Sequence, residues 1–132
     1  MSRNPLVTSM RGAAVAAVLG SQSAIAVQDE DINFKTTEDL YQVCSVAPGA
    51  PEYIAASFAC RGFIAAAVQY HDEVSDRKKM KRLICYPKGS TIADGRAAFV
   101  AWAEKHSGNK KRMDEVPVVG LVRALAAKYP CK

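Results

Sequence analysis

Apolar residues recur at intervals of three and four positions through several stretches of the chain, and this spacing predicts helices. Thr36 and Thr37 precede two acidic residues, which predicts a first helix that begins there and ends near Val46. A segment with two prolines, residues 48–51, then breaks the pattern. The second predicted helix covers residues 52–74 and is apolar on nearly every side, which is typical of the buried centre of a bundle.

The most polar part of the chain separates the second predicted helix from the third. Residues 72–82 predict a solvated linker or a frayed helical extension, and a contact surface for an acidic partner is the other interpretation. Ser90 or Thr91 can cap the third helix, since Asp94 stands in capping-box position relative to Thr91. This helix is predicted to end near His106.

The last apolar repeat predicts a fourth helix, which opens over residues 114–117 and ends before Pro130. No stretch shows the strict alternation that is typical of strands. The sequence therefore predicts an all-α fold, a compact bundle of about four helices with a central apolar helix.

The N-terminal residues 1–26 have the composition of a secretory signal peptide. Arg3 and Arg11 supply a positive region, and a short apolar run follows at residues 12–20. This run is shorter than the roughly 20 residues that span a bilayer, so we expect no stable membrane insertion. An N-terminal helix of the fold or a retained anchor is the alternative interpretation. Cleavage would leave a helical domain over residues 27–132 in the periplasm.

The four cysteines of the chain are predicted to form two disulfides, because an even number follows an export signal. They are Cys44, Cys60, Cys85 and Cys131, and no two of them form a CxxC pair. That spacing argues against a zinc ribbon and against a thioredoxin-like redox pair. Three connectivities are open, and the favoured one is Cys44–Cys60 with Cys85–Cys131. The first bridge would join two consecutive helices, and the second would tie the C-terminus to the entry of the third helix.

No pattern in the sequence predicts catalysis or a bound cofactor. The chain has two histidines, His71 and His106, and each lies near the end of a predicted helix, where a cationic imidazole suits the helix dipole. The HExxH, GxSxG and glycine-rich phosphate-binding patterns are missing from the sequence. The net charge of +5 comes without a basic stripe on a nucleic-acid-binding motif, so we expect no nucleic-acid partner. These features favour a protein-binding module over an enzyme.

Four segments, in order along the chain, resemble the Tai-type family of periplasmic immunity proteins. Members of that family neutralise the amidase effectors of type VI secretion. The segments are Asp39-Leu40-Tyr41-Gln42-Val43-Cys44, Cys60-Arg61-Gly62-Phe63-Ile64, Cys85-Tyr86-Pro87 with Gly89 and Thr91, and Ala124-Leu125 through Tyr129-Pro130-Cys131. They correspond to the family's Leu-Tyr-x-x-Cys opening, its Cys-x-Gly-Tyr-Ile motif, its Cys-x-Pro turn and its Phe-Pro-Cys ending.

The resemblance implies a compact, often dimeric protein that inserts a loop or helix end into the cleft of a cell-wall amidase. We expect the inhibitory segment between the third and fourth helices, where the basic side chains could meet an acidic cleft rim and Met113 could fill an apolar pocket. The candidate partner-binding residues are His106, Asn109, Lys110, Lys111, Arg112, Met113 and Asp114. An ordinary solvated loop is the alternative interpretation of this segment.

A second function remains open at this point, a periplasmic helical binding or chaperone-like protein that has no cognate toxin. It predicts broad client binding that strengthens as the pH falls. The immunity function predicts stoichiometric binding to one effector.

Overall fold

A computed structural model describes residues 33–132 of the chain, and these residues form helices and no strands. The predicted signal peptide lies outside the described residues. The helices are α1 (Thr37–Cys44), α2 (Tyr53–Arg77), α3 (Ile92–His106), α4 (Lys110–Met113) and α5 (Pro117–Lys128). The all-α bundle is confirmed. It differs from the prediction in detail, because α1 already ends at Cys44, α2 continues to Arg77 and the single turn α4 occupies part of the predicted loop.

Capping boxes begin two of the helices, as the sequence indicates. At the start of α1, the Thr36 hydroxyl accepts a hydrogen bond from the Asp39 N–H at 3.1 Å, and the Asp39 carboxylate accepts one from the Thr36 N–H at 2.9 Å. Thr91 and Asp94 make the same pair of bonds at the start of α3, at 3.2 and 2.8 Å. Each box satisfies two N–H groups that a helix start leaves without a helical partner.

The hydrophobic core lies mainly among α1, α3 and α5, with one side of α2 closing it. The pair formed by α3 and α5 is the most extensive helix contact, and α1 contacts both of them. Phe99 of α3 and Leu121 of α5 have no exposed surface. The buried apolar residues are Leu40, Cys44, Cys60, Ile64, Ile84, Phe99, Ala103, Met113, Leu121, Ala124 and Leu125.

The helix α2 is less buried than its composition predicts. Only Cys60, Ile64 and Ser75 of its 25 residues are buried. Its contacts with α1 and α3 use one side, while Ile54 and Phe58 on another side are 70% and 76% exposed. The expectation of burial all round is therefore wrong, because no described element covers the second side of α2.

A close approach of backbone and side chain joins α1 to α5. Thr37 is fully buried, and its N–H and hydroxyl both donate hydrogen bonds to the Glu115 carbonyl, at 2.7 and 3.0 Å. A Cβ at Gly120 would lie 2.8 Å from the Cβ of Thr37 and would overlap the rest of that side chain. The absence of a side chain at position 120 is what allows α1 to rest on α5.

Two disulfides brace the bundle with the favoured connectivity. Cys44 pairs with Cys60 and Cys85 pairs with Cys131, with Cα–Cα distances of 5.1 and 5.0 Å. The first bridge is buried and joins the end of α1 to α2. The second lies nearer the surface and ties the chain beyond α5 to the segment before α3. Each bridge stabilises the fold mainly because it reduces the conformational entropy of the unfolded chain.

Candidate partner-binding surfaces

The α3–α5 loop, residues 106–116, is held to the bundle at its first end by a histidine. His106 is the last residue of α3, its Nδ1–H donates to the Trp102 carbonyl at 2.7 Å, and its ring stacks on the Trp102 ring with the centroids 4.5 Å apart. The predicted position of His106 at a helix end is confirmed. The contacts fix where the loop leaves the bundle.

Inside this loop, Asn109 starts the short helix α4 and Met113 ends it. The Asn109 side chain accepts a hydrogen bond from the Arg112 N–H at 3.2 Å, in the manner of an N-cap. Met113 is only 3% exposed and belongs to the core. The expectation that Met113 fills a partner's pocket is therefore corrected, because this side chain already fills the chain's own interior.

The outer surface of the α3–α5 loop is basic and stands on a rigid base. Lys110 and Lys111 are exposed, and Arg112 is partly exposed. Lys110 makes an ion pair with Asp114 at 2.6 Å, one helical turn away. Such exposed pairs contribute about 0–1 kcal/mol, so they orient the side chains more than they stabilise the fold.

At its second end the loop is held by an acidic residue. The Glu115 carboxylate accepts two hydrogen bonds from the Arg123 guanidinium, both at 2.9 Å, in a fork-to-fork pair. The Glu115 carbonyl accepts the two bonds from Thr37 described above. The loop is thus tied to α1, α3 and α5, and its tip is presented with little freedom to move.

Two apolar side chains beside the loop were not anticipated. Val116 and Val118 are exposed, one just before α5 and one in its first turn. The apolar repeat did not indicate this exposure, since position 118 lies three and seven residues before the buried Leu121 and Leu125 and shares their face of an ideal helix. Together with the basic tip they form a mixed basic and apolar surface, which suits a protein partner.

A polar cluster closes the opposite end of the bundle, where α2 ends. His71 donates from Nδ1 to the Asp72 carboxylate at 2.9 Å, and its Nε2 accepts from the Leu83 N–H at 3.1 Å. The Tyr86 hydroxyl donates to the same carboxylate, and Arg82 lies 3.6 Å from it. These contacts fasten the segment after α2 to the helix itself.

The pKa values in this cluster follow from those contacts. Burial alone would raise the pKa of Asp72, but the hydrogen bonds from Tyr86 and His71 and the charge of Arg82 together lower it below 3.8. Burial, and then the hydrogen bond to Asp72, raises the pKa of Tyr86 to about 12. The carboxylate is the charged partner and the phenol the neutral donor. Nothing here resembles a nucleophile with its base, and the cluster has a structural role.

A third surface is the free face of α2, five residues spaced four apart. Ile54, Phe58 and Tyr70 carry large side chains and are 70%, 76% and 73% exposed, while Gly62 and Ala66 between them are small and exposed. Residues four apart form a ridge that winds slowly around a helix, so neighbouring members of the row share a side and its two ends do not. Large apolar groups that remain exposed in a row are a common feature of interaction surfaces.

Metal binding and membrane spanning find no support in residues 33–132. Within that range no group of three His, Cys, Asp or Glu residues could hold a metal ion. None of the helices there combines the length and the apolar character needed to cross a bilayer.

Comparison with known proteins assigns the chain to a family. A search of curated proteins and a search of solved structures each find no match to the chain. A family model built for the Rap1a immunity proteins does match, over residues 36–131, which takes in all five helices and all four cysteines. The chain therefore belongs to the Rap1a family of immunity proteins, which act against type VI secretion effectors.

Proposed function

We propose that this immunity protein acts in the periplasm and inhibits a peptidoglycan amidase effector of type VI secretion. The α3–α5 loop would enter the active-site cleft and exclude the substrate. The family match over residues 36–131 carries the immunity function. The amidase, the compartment and the use of this loop are the parts that the proposal adds.

The geometry of the α3–α5 loop supports its role as the inhibitory segment. A loop that is ordered before binding loses little conformational entropy when it docks. This loop is tied down by His106 at one end and by Glu115 at the other. Lys110, Lys111 and Arg112 would speed the encounter with an acidic cleft rim, as charge complementarity does in other complexes. Val116 and Val118 would supply the apolar contact, since Met113 is buried in the core.

Binding to the purified amidase tests the loop directly. We expect Lys110→Glu combined with Lys111→Glu to weaken binding of the effector by at least tenfold and to restore amidase activity. Lys78→Glu combined with Lys79→Glu is the matched control, since it reverses two exposed lysines in the segment after α2. Equal affinities for the two double variants, measured by calorimetry, would place the effector's contact elsewhere on the molecule.

We also propose that two copies of the chain pair through the free face of α2. Antiparallel pairing of this ridge about Gly62 sets Phe58 of one copy against Ala66 of the other. Large groups then face small ones, so the ridge is complementary to itself, as a two-fold interface requires. α2 has 25 residues and is about 37 Å long, which is enough for an extended contact.

Light scattering on the purified protein tests the pairing. We expect a dimer that Phe58→Arg converts to a monomer with unchanged helix content, and Glu73→Arg, at an exposed polar position of the same helix, to leave it dimeric. A wild-type protein that stays monomeric at high concentration would remove the dimer from the proposal and leave inhibition to the single chain.

The chaperone-like alternative makes a different prediction for the free face of α2. Broad clients would compete for it, and Phe58→Arg would abolish protection of an aggregating client while leaving effector binding intact. Protection of cells from the cognate toxin, with no effect on unrelated clients, would favour the immunity function.

A further inference from the structure

The segment that follows α2 forms an exposed tip with a fixed shape. This lysine tip comprises residues 78–83. Lys79 adopts a left-handed backbone conformation with φ 54°, and the Met80 N–H donates back to the Ser75 carbonyl at 2.9 Å. Three residues on, the Leu83 N–H donates to His71. The chain is therefore folded over the end of α2 and held at two points, so its outward side chains keep their positions.

The charges of the lysine tip are unbalanced. The two arginines of this region already pair with carboxylates of α2, Arg77 with Glu73 and Arg82 with Asp76. Three exposed lysines of the tip form no ion pair with any carboxylate of residues 33–132. They are Lys78, Lys79 and Lys81. A net positive charge thus remains on the tip after all local pairing.

More lysines lie at the same end of the bundle. The Cys85 N–H donates to the Tyr129 carbonyl at 2.9 Å, and Cys85 is bonded to Cys131. These two links bring the end of α5, with exposed Lys128 and Lys132, to the residues that directly follow the tip. The basic surface is therefore wider than the loop itself.

Apolar side chains stand between these charges. Met80 and Leu83 are 58% and 59% exposed, although the next residue, Ile84, is fully packed in the core. More than half of each side chain is therefore open to solvent. A basic surface with two exposed apolar groups matches the layered structure of a bilayer surface, with charge outside and hydrocarbon beneath.

We propose that the lysine tip binds an anionic phospholipid surface. The arginines of this region, which could form forked pairs with a protein partner's carboxylates, are already paired with Glu73 and Asp76. Ammonium groups act as point charges that need no forked partner, so a field of lipid phosphates suits them. Each lysine near an anionic membrane strengthens binding about fivefold. Insertion of Met80 and Leu83 below the headgroups adds a contribution that salt does not screen.

The position of the lysine tip gives this binding an orientation. The tip lies beside the C-terminal end of α5, whereas the α3–α5 loop leads into the N-terminal end of that helix. α5 has 12 residues and is about 18 Å long. A chain attached through its tip would therefore present the α3–α5 loop away from the bilayer. Lipid binding does not depend on the identity of the effector.

Vesicle sedimentation of the purified, oxidised protein tests the proposal. We expect binding to vesicles of equimolar phosphatidylcholine and phosphatidylglycerol, no binding to phosphatidylcholine alone, and release as salt is raised. Lys78→Glu with Lys79→Glu and Lys81→Glu should lower the vesicle affinity at least tenfold. Met80→Ser with Leu83→Ser should lower it severalfold and leave a stronger dependence on salt.

The matched control for charge is Lys110→Glu with Lys111→Glu at the other end of the bundle, which should bind vesicles like the wild type. All the substituted side chains are exposed, so helix content and thermal midpoint serve as folding checks. Failure of the wild type to bind anionic vesicles would overturn the proposal. So would equal loss of vesicle binding in both charge variants, or a tip variant that loses affinity only for the effector protein.

Discussion

The helices α5 and α2 are both rich in apolar residues, yet α5 buries five of its 12 residues and α2 only three of its 25. Both helices contact α1 and α3, but α5 buries a larger share of its residues between them than α2 does. Apolar composition is thus a poor guide to burial, because burial depends on how much of a helix's surface its neighbours cover. The apolar surface that α2 leaves free is the one that we propose as the contact between two copies of the chain.

The largest expected contrast between the two helices comes from removing one large side chain from each. Leu121→Ala in α5 should lower the free energy of unfolding by about 2–5 kcal/mol, since Leu121 is fully buried. Phe58→Ala in α2 should change it by less than about 0.5 kcal/mol in the dilute protein. Urea denaturation measures both. A large loss for Phe58→Ala at every protein concentration would show that this face of α2 is covered within the single chain.

The two disulfides extend the comparison, because Cys44–Cys60 holds α2 to α1 and Cys85–Cys131 holds the end of α5 to the segment before α3. Without a bridge the unfolded chain gains conformational entropy, which lowers the free energy of unfolding. We expect a decrease of about 4 kcal/mol for Cys85→Ala with Cys131→Ala and about 3 kcal/mol for Cys44→Ala with Cys60→Ala.

Mild reductant should open the Cys85–Cys131 bridge first, since Cys85 is exposed and both Cys44 and Cys60 are fully buried. Thiol labelling followed by mass spectrometry measures the order. Simultaneous opening of the two bridges would mean that the whole bundle unfolds before either is reduced.

Replacing one glycine of each helix with alanine should change the stability by smaller amounts and in opposite directions. Gly120→Ala should cost about 1–3 kcal/mol, because the new methyl group would overlap Thr37. Gly62→Ala should stabilise the single chain by about 0.5–1 kcal/mol, since nothing lies within 4 Å of that position and alanine is the better helix former. The dimer proposed above should nevertheless be weakened by Gly62→Ala. Thermal melting and light scattering separate the two results, and a stabilising Gly120→Ala would contradict the close contact of α1 and α5.

The smallest expected effect is the dependence of stability on pH at the end of α2. The pKa of Asp72 is lower in the folded chain, so its contribution is present above pH 3.8 and is lost as the pH falls through the lowered value. The pKa of Tyr86 is raised from 10.0 to about 12, so its contribution is complete below pH 10.0 and is lost as the pH rises towards 12.

Tyr86→Phe removes both the phenol and one of the hydrogen bonds to Asp72. We expect it to flatten the alkaline limb of the stability profile and to reduce the acid limb. Denaturation across the pH range measures both limbs, and an unchanged alkaline limb in Tyr86→Phe would assign the loss of stability there to another group.

Much of the fold could be predicted because its signals are local. The capping box of Thr91 and Asp94 depends on residues three positions apart, and the helix bounds follow from spacing and prolines. The cysteine pairing could be favoured because consecutive cysteines fell on consecutive elements. What could not be predicted depends on contacts between distant residues. Arg96 donates to the carbonyls of Cys44 and Val46, at 2.7 and 3.3 Å, across about 50 positions, and no local pattern indicates it.

The same distinction between local signals and distant contacts applies to the candidate partner-binding residues. His106 and Asn109 lie where helix-end chemistry predicts, and the basic side chains of the α3–α5 loop are at the surface. Met113 is different, because an apolar residue in a polar loop can point either way. Only the position of the loop over α1 and α3 decides that it points inward.

The order of the two bridges along the chain has a consequence for how the molecule matures. Each cysteine pairs with the next one in sequence, first with second and third with fourth. If the chain is exported as we propose, an oxidase that joins thiols in the order in which they emerge would make the native pairs directly. We expect maturation to proceed without a disulfide isomerase. The second bridge uses Cys131, which follows α5, so it closes around α3, α4 and α5 only after all three have emerged.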